Sequence, residues 1–228
     1  MKTAILGTGI VGRTIAAKLV MLGHKVSMGT RDVDKTRNSD EPDPYGNISF
    51  KDWFRQNNTI NLKTFADAAS DAEILFNCTG GGVSLAALEL AGENHLSGKT
   101  LIDIANPLDF SKGMPPSLSI VNTDSLGEQI QKRFPNLKVV KTLNTMNAYI
   151  MVDPTLLKGE HNVFVCGNDT GAITQTKDIL KSFGWKNSQI IELGDITNAR
   201  GTEMLLPIWI RLWQTFGTGE FNFLIQRN

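Results

Sequence analysis

Three glycines at a fixed spacing carry the first chemistry in this chain. Gly7-Thr8-Gly9-Ile10-Val11-Gly12 follows the short apolar run Lys2 to Leu6 and opens an apolar-periodic stretch that ends at Leu22-Gly23. A lone G-x-G-x-x-G arises by chance, but between a strand and a helix it has a physical meaning. Gly7 lets the chain turn sharply off the strand, Gly9 lets the backbone approach a pyrophosphate, and Gly12 lets the helix pack closely on the strand. Thr8, Ile10 and Val11 complete the cradle, because the first amides of the helix point at the phosphates and the helix dipole favours their charge. The alternative is a tight turn that binds nothing.

The end of the next apolar run, His24 to Thr30, selects the dinucleotide. A ribose 2′-hydroxyl calls for an Asp or Glu about 20 residues on, whereas a 2′-phosphate calls for an Arg. The segment reads Gly29-Thr30-Arg31-Asp32, with Lys35 one turn later. Thr30 can donate a hydroxyl, Arg31 can stack on adenine or fork onto phosphate, and Lys35 adds a point charge. This set favours NADP(H). A shift of one position would put Asp32 on the ribose instead, and Arg31 and Lys35 would serve equally as a solvated surface pair.

Three further segments place small or amide-bearing residues where an apolar run ends. Thr79-Gly80-Gly81-Gly82 follows Glu73 to Cys78, Asn106-Pro107 follows Thr100 to Ile104, and Asn144-Thr145-Met146-Asn147-Ala148 follows Leu137 to Leu143. Ligands of open α/β sheets lie beyond the carboxyl ends of the strands, so Thr79, Gly80 and Gly81 would admit the nicotinamide ribose or the phosphates. Amides suit the nicotinamide carboxamide, since each offers a donor and an acceptor, which puts the hydride site near Asn144, Thr145 and Asn147. Permissive turns and an asparagine-capped turn are the structural alternatives.

Such strand ends must be brought to one edge. The alternation of short apolar runs with helical periodicity predicts a Rossmann-type, doubly wound, mainly parallel α/β sheet. Phe50, Trp53 and Phe54 after Ser49 read as a short helix, residues 36–47 as an exposed loop, and the stretch from Ala105 to Ile120 as a connector walling the site. Ser125 and Glu128 have the spacing of a capping box ahead of Leu126, Ile130 and Phe134. His161 to Cys166 is a strand, Asp169 or Thr170 caps the helix that follows, and Gln189 to Leu193 is a last strand. Arg200 to Phe216 is apolar all round and reads as a buried helix. The expected division is a dinucleotide-binding domain over residues 1–150 and a small C-terminal α/β extension over 151–228, packed on the same sheet and closing the site.

Composition bounds the partners. With 23 basic and 23 acidic side chains in 228 residues the formal net charge is zero, which argues against nucleic acid. No apolar run of about 18 residues suggests a membrane span, and a strand starting at residue 2 leaves no room for a signal peptide. Cys78 and Cys166 lack C-x-x-C spacing and read as free thiols, so a cytoplasmic location is expected. His24, His95 and His161 are scattered and read as structural, and no metal cluster is expected. Apolar aromatics near the C-terminus suggest a homodimer.

The blocks Gly7 to Gly12, Gly29-Thr30-Arg31, Val139 to Ala148 and Gly194 to Glu203 together carry a resemblance. The chain resembles the NADP-dependent reductases typified by the 5-deazaflavin coenzyme:NADP oxidoreductases, and is similar to the oxidoreductase domain of six-transmembrane metalloreductases. The resemblance implies NADP(H) as cofactor and a small-molecule hydride acceptor, a flavin or 5-deazaflavin ring. Hydride transfer to a ring mainly requires that two rings be held face to face. Thr145 to Ala148 would fix the nicotinamide, with the acceptor between Asn106, Pro107 and the segment Arg200 to Trp213. Two other readings stay open: a ketone or imine reductase using Lys141, Asn144 or Tyr149 as proton donor, and a non-catalytic NADPH-binding redox sensor.

Overall fold

The computed structural model describes residues 1–42 and 46–227. Its strands are β1 (Lys2–Leu6), β2 (Lys25–Thr30), β3 (Asn61–Thr64), β4 (Ile74–Asn77), β5 (Thr100–Asp103), β6 (Leu108–Asp109), β7 (Ser117–Leu118), β8 (Lys138–Thr142), β9 (Val163–Gly167) and β10 (Ile190–Glu192). Its helices are α1 (Ile10–Met21), α2 (Val33–Arg37), α3 (Phe50–Gln56), α4 (Phe65–Asp71), α5 (Ser84–Ala91), α6 (Glu93–Leu96), α7 (Leu126–Arg133), α8 (Ala148–Val152), α9 (Thr170–Phe183) and α10 (Ala199–Phe216).

The main sheet has the order β10-β9-β8-β5-β4-β1-β2-β3. From β3 across to β8 every neighbour is parallel, so these strands are joined by crossover connections; β9 then runs antiparallel to β8, and β10 is parallel to β9. Both faces are covered, and the strands show it by a period of two. Ile5, Ile74, Phe76, Ile102 and Val140 enter one core with Ile15 and Leu19 of α1 and Ile173 and Leu180 of α9. Ala4, Leu6, Leu75, Leu101 and Val139 enter the opposite core with Leu88 of α5 and Ile130 of α7. The Rossmann-type expectation is met, with the strand order reversing beside β1 so that a crevice opens at its carboxyl end.

Several local expectations are corrected. In α1 the buried stripe is Gly12, Arg13, Ile15, Ala16 and Leu19, while Leu22 is exposed. His95 lies in α6. The connector after Asn106 contains a small antiparallel hairpin, β6 paired with β7, closed by the loop that holds Gly113 at φ 86°. Asn147 caps α8, the asparagine-capped alternative for this segment: its side chain accepts from the Tyr149 amide. Ser125 caps α7 by accepting the Glu128 amide, but the reciprocal half of the box is absent, because the Ser125 amide donates to Asp124 and the Glu128 carboxylate takes the Ser125 hydroxyl and Arg200. The polar loop starts only after α2, at Asn38, and residues 43–45 of the expected loop lie outside the described residues.

The last helix differs most from its pattern. Rather than burying its whole surface, α10 buries Ala199, Thr202, Glu203, Leu206 and Ile210, one stripe at helical spacing, and leaves Met204, Ile208 and Phe216 exposed. Its apolar outer face concealed this amphipathic placement. No helix among the described residues is long and apolar enough to cross a membrane.

Candidate active site

The glycine turn requires glycine for the fold at two of its three positions. A Cβ on Gly7 would lie 2.5 Å from the Cys78 carbonyl, and one on Gly12 would lie 2.5 Å from the Gly7 carbonyl. Gly7 also sits at φ 115°, and its amide donates to Gly29 O at 3.1 Å. A Cβ on Gly9 would meet nothing within 4 Å. Packing of the chain therefore does not demand a glycine there, and the open space leaves room for a pyrophosphate to approach the backbone. The first helical bond of α1 runs from the Arg13 amide to Gly9 O, so the Ile10 and Val11 amides precede the helical ladder. Arg13 itself donates Nε to Thr8 O at 3.0 Å and Nη1 to Ile48 O at 2.7 Å, with its guanidinium over the Phe50 ring. It pins the turn to the chain before α3.

At the end of β2, Thr30 is buried and its hydroxyl shares a hydrogen bond with Thr36. Asp32 caps α2, with Oδ1 accepting the Lys35 amide at 2.9 Å. That geometry turns the carboxylate toward the helix, leaving Arg31 and Lys35 exposed beside the cradle. The donor set fits a 2′-phosphate better than a 2′-hydroxyl.

At the other side of the crevice the ends of β4, β5 and β8 are stitched together. Asn106 and Asn144 exchange amide bonds: Asn106 Nδ2 donates to Asn144 O and Asn144 Nδ2 donates to Asn106 Oδ1, both at 2.9 Å. A Cβ on Gly81 would come 2.1 Å from the Asn106 carbonyl, so the Thr79–Gly82 turn packs directly on that loop. Just before Asn144, Leu143 is buried with φ at 62°, a left-handed conformation that stores strain in a leucine. The Asn144 side chain and the buried Thr145 thus shape the turn. Met146, Asn147 and Ala148 are the members of that segment that line the open cleft.

Beneath these loops lies a buried ionic cluster that the sequence patterns did not reveal. Lys141 of β8 is fully buried and contacts Asp103 Oδ2 at 2.5 Å and Glu203 Oε1 at 2.8 Å, and it donates to Ala105 O at 2.7 Å. Asp103 also accepts from Asn77, whose Oδ1 takes the Thr79 hydroxyl. Glu203 accepts the Leu126 and Gly127 amides at the start of α7, where the helix dipole favours an anion. Burial pulls the Lys141 ammonium down, but the two carboxylates outweigh it and hold its pKa above the ordinary lysine value. With its ammonium committed in this way, Lys141 does not reach the cleft as a proton donor. Asn144, bound to Asn106, is likewise occupied, and of the three candidate donors Tyr149 is the one lining the cleft.

The cleft has a volume of about 650 Å³. Ile10 and Val11 of the cradle form its floor, the hairpin contributes Leu108, Phe110, Met114 and Pro116, and α10 contributes Leu206, Trp209, Ile210 and Trp213. Sequence reasoning had named both the α10 segment and the connector from Ala105 to Ile120 as walls of the site, though not the hairpin form that the connector takes. Among the described residues no carboxylate, lysine, arginine, histidine or cysteine lines it. Burial pushes the Cys166 thiol up to about 12, and burial with the nearby Asp103 raises that of Cys78. His24, His95 and His161 are engaged with Thr3, the Ala91 carbonyl, and the Pro154 carbonyl with Asn222.

Comparison with known proteins places the chain among NADP-dependent reductases. The model of the coenzyme F420-dependent NADP oxidoreductases matches residues 2–107. A crystal structure from Arthrobacter sp. FB24, described as a candidate F420-dependent NADP-reductase, shares 56% identity with a TM-score of 0.94, and the match covers 100% of both chains. The F420-dependent NADP reductase of Methanothermobacter marburgensis is 25% identical over 216 residues, 93% of this chain and 92% of that protein. Metalloreductase STEAP3 of Rattus norvegicus is 24% identical over 213 residues. That match takes in 91% of this chain, which spans 38% of the length of the rat protein.

Proposed function

The chain belongs to the family of coenzyme F420-dependent NADP oxidoreductases, and from that premise we propose that its hydride acceptor is a planar ring of the flavin or 5-deazaflavin type. The cofactor is NADP(H), which supplies the hydride. The observation carrying the acceptor assignment is the cleft itself: aromatic and aliphatic walls from the hairpin and α10 face the cradle, with no charged side chain among the described lining residues. Such walls suit a large flat ring and exclude water around it. A ring acceptor can take its proton from solvent, so a dedicated acid is not required.

In this reading Gly7 to Gly12 hold the pyrophosphate, with Thr8 kept in place by Arg13. Thr30, Arg31 and Lys35 receive the 2′-phosphate. Thr79, Gly80, Gly81 and Asn106 border the nicotinamide ribose, and Asn144 and Thr145 shape the turn that presents Met146, Asn147 and Ala148 to the nicotinamide. Residues 151–228 act as the extension closing the site, since α10 supplies its far wall. The exposed apolar residues of α10 support a homodimer, and the free cysteines suit a reducing cytoplasm. A carbonyl or imine acceptor is the second reading, favoured by the Tyr149 hydroxyl at the cleft.

Stopped-flow mixing of the NADPH-loaded protein with FMN, FAD and a 5-deazaflavin tests the proposal. Rapid bleaching of one ring acceptor, retained in Tyr149→Phe, is expected. Turnover restricted to carbonyl or imine compounds and abolished by Tyr149→Phe would favour the second reading.

A further inference from the structure

After α10 the chain turns back toward the cleft. Gly217 ends the helix in the left-handed region at φ 67°, with its amide donating to Trp213 O at 2.9 Å. The segment that follows crosses to the start of β9, with Gly219, Phe221, Asn222 and Phe223 half-buried and Thr218, Glu220 and Leu224 exposed. Its far end is anchored on the buried pair His161 and Asn162. The Asn162 amide donates to Phe223 O at 2.8 Å, Asn162 Oδ1 accepts the Ile225 amide at 2.7 Å, and Asn222 Nδ2 donates to Asn162 O at 3.0 Å. His161 Nε2 lies 3.0 Å from Pro154 O, which can only accept, so Nε2 carries the proton and Nδ1 accepts from Asn222 at 2.9 Å.

Between helix and anchor the segment touches two residues that line the cleft, Asn147 and Trp209. Phe221 stacks on Trp209 with ring centroids 5.2 Å apart and meets Phe216 edge-on at 5.4 Å. A Cβ on Gly219 would lie 2.5 Å from Asn147 Nδ2, so the glycine backbone rests directly against that carboxamide. Asn147 is not free to swing away, because its Oδ1 accepts the Tyr149 amide at 3.0 Å and caps α8. Its Nδ2 makes no hydrogen bond among the described residues. The carboxamide is thus held by its cap, pressed by Gly219, and left with a donor to spend on a ligand. Two polar atoms of these contacts, Trp209 Nε1 and Asn222 Oδ1, are buried without a hydrogen-bond partner among the described residues. Unpaired buried groups cost stability, so the segment docks at a cost, and a ligand that holds Asn147 adds to its hold.

Resting on the placement of the nicotinamide at Asn147, we propose that residues 217–225 are a positioning strap for hydride transfer. Gly219 fixes the Asn147 side chain so that Nδ2 donates to the oxygen of the nicotinamide carboxamide, and Phe221 fixes the Trp209 wall on the acceptor side. One tail therefore sets the spacing of the two rings. Because coupling between two contacts of one side chain is reciprocal, a bound nicotinamide tightens the docking of the strap.

The test uses the wild type, Gly219→Ala, Asn147→Ser and the double variant; serine keeps an oxygen for the α8 cap and removes the donor amide. Amide hydrogen exchange over residues 217–225 is followed without ligand, with NADPH, and with adenosine 2′,5′-bisphosphate, which has the adenosine end but no nicotinamide. In the wild type NADPH should slow this exchange at least about threefold and the bisphosphate should not; both single variants should lose the NADPH effect. Single-turnover hydride transfer to a 5-deazaflavin should fall about tenfold in each single variant and no further in the double. Affinity for the bisphosphate and melting temperature should stay near wild type, whereas a merely structural tail would move the melting temperature instead. Equal slowing by NADPH and the bisphosphate, or wild-type transfer by Gly219→Ala beside an impaired Asn147→Ser, would overturn the strap alone. An Asn147→Ser protein that keeps the NADPH effect and the wild-type rate would overturn the placement of the nicotinamide, and the strap with it. A wild type that reduces no ring acceptor would sink the ring-acceptor reading, while the exchange measurements still decide the strap.

Discussion

Replacing Lys141 by methionine should destabilise the protein more than any other single change at the strand ends. The ammonium balances two carboxylates, at 2.5 Å and 2.8 Å, and also satisfies Ala105 O. Methionine fills much of the volume but leaves Asp103 and Glu203 buried without their cation. Breaking a buried pair by removing one partner costs on the order of 3–5 kcal/mol, against a total stability of about 5–15 kcal/mol for a typical domain. With a urea dependence of about 2–3 kcal/mol per molar, the unfolding midpoint should fall by about 1–2.5 M. Glu203→Gln should cost less, about 1–3 kcal/mol, because it leaves Lys141 and Asp103 as a balanced pair and forfeits mainly the anion at the start of α7. The double variant should be less damaged than the sum of the singles, since each removes the same contact. The sign of the pH effect follows from the raised Lys141 pKa: the contribution is full at neutral pH and is lost only as pH rises through that value. Urea titrations of the four proteins at pH 7 give the comparison. A Lys141→Met midpoint within about 0.3 M of wild type, less than 1 kcal/mol on the same urea dependence, would refute the reasoning, as would a Glu203→Gln variant equally destabilised.

Three other outcomes are expected. Gly9→Ala should melt as the wild type does and bind NADPH at least tenfold more weakly, whereas Gly12→Ala should lose stability itself, because its Cβ would meet the Gly7 carbonyl; thermal melts beside NADPH titrations separate the two. Arg31→Ala should weaken NADPH about tenfold or more and leave NADH binding unchanged, the loss of a charge-assisted contact to phosphate, and matched fluorescence titrations read the ratio. The Arg200 guanidinium holds the Glu128 carboxyl below its ordinary value, so that bridge supports the fold above the usual carboxylate range and fails as pH falls through the depressed pKa; Glu128→Gln should therefore lose less stability than wild type between pH 7 and acid, as denaturant midpoints would show.

The sequence made the carboxyl edge legible because its signals are local. Glycine spacing, strand-end amides and period-two burial depend on neighbours in the chain, and Gly7 to Gly12, Thr79 to Gly81 and Asn144 to Ala148 all fall at strand ends in one sheet. What escaped depends on distant partners. Lys141, Asp103 and Glu203 lie on three separate elements, and no spacing rule joins them. Asn144 looked like a ligand-binding amide, yet its partner is Asn106, 38 residues away. The composition of α10 hid which stripe would be buried, because an apolar side chain that lines a cleft reads the same as one in the core. Asp32 left the cofactor choice open in the sequence, and the cap it gives to α2 is a matter of rotamer rather than of spacing.

The most direct test of the central claim follows the hydride itself. The protein is supplied with NADPH carrying deuterium at the transferring position of nicotinamide C4 and with a 5-deazaflavin, whose C5 retains what it receives, and the product is read by mass spectrometry and proton NMR. Deuterium at C5 of the reduced 5-deazaflavin, with a primary isotope effect on its formation, is the predicted result. Reduction without label at C5, or NADPH oxidation that proceeds equally without the ring acceptor, would contradict direct transfer between two rings held in this cleft.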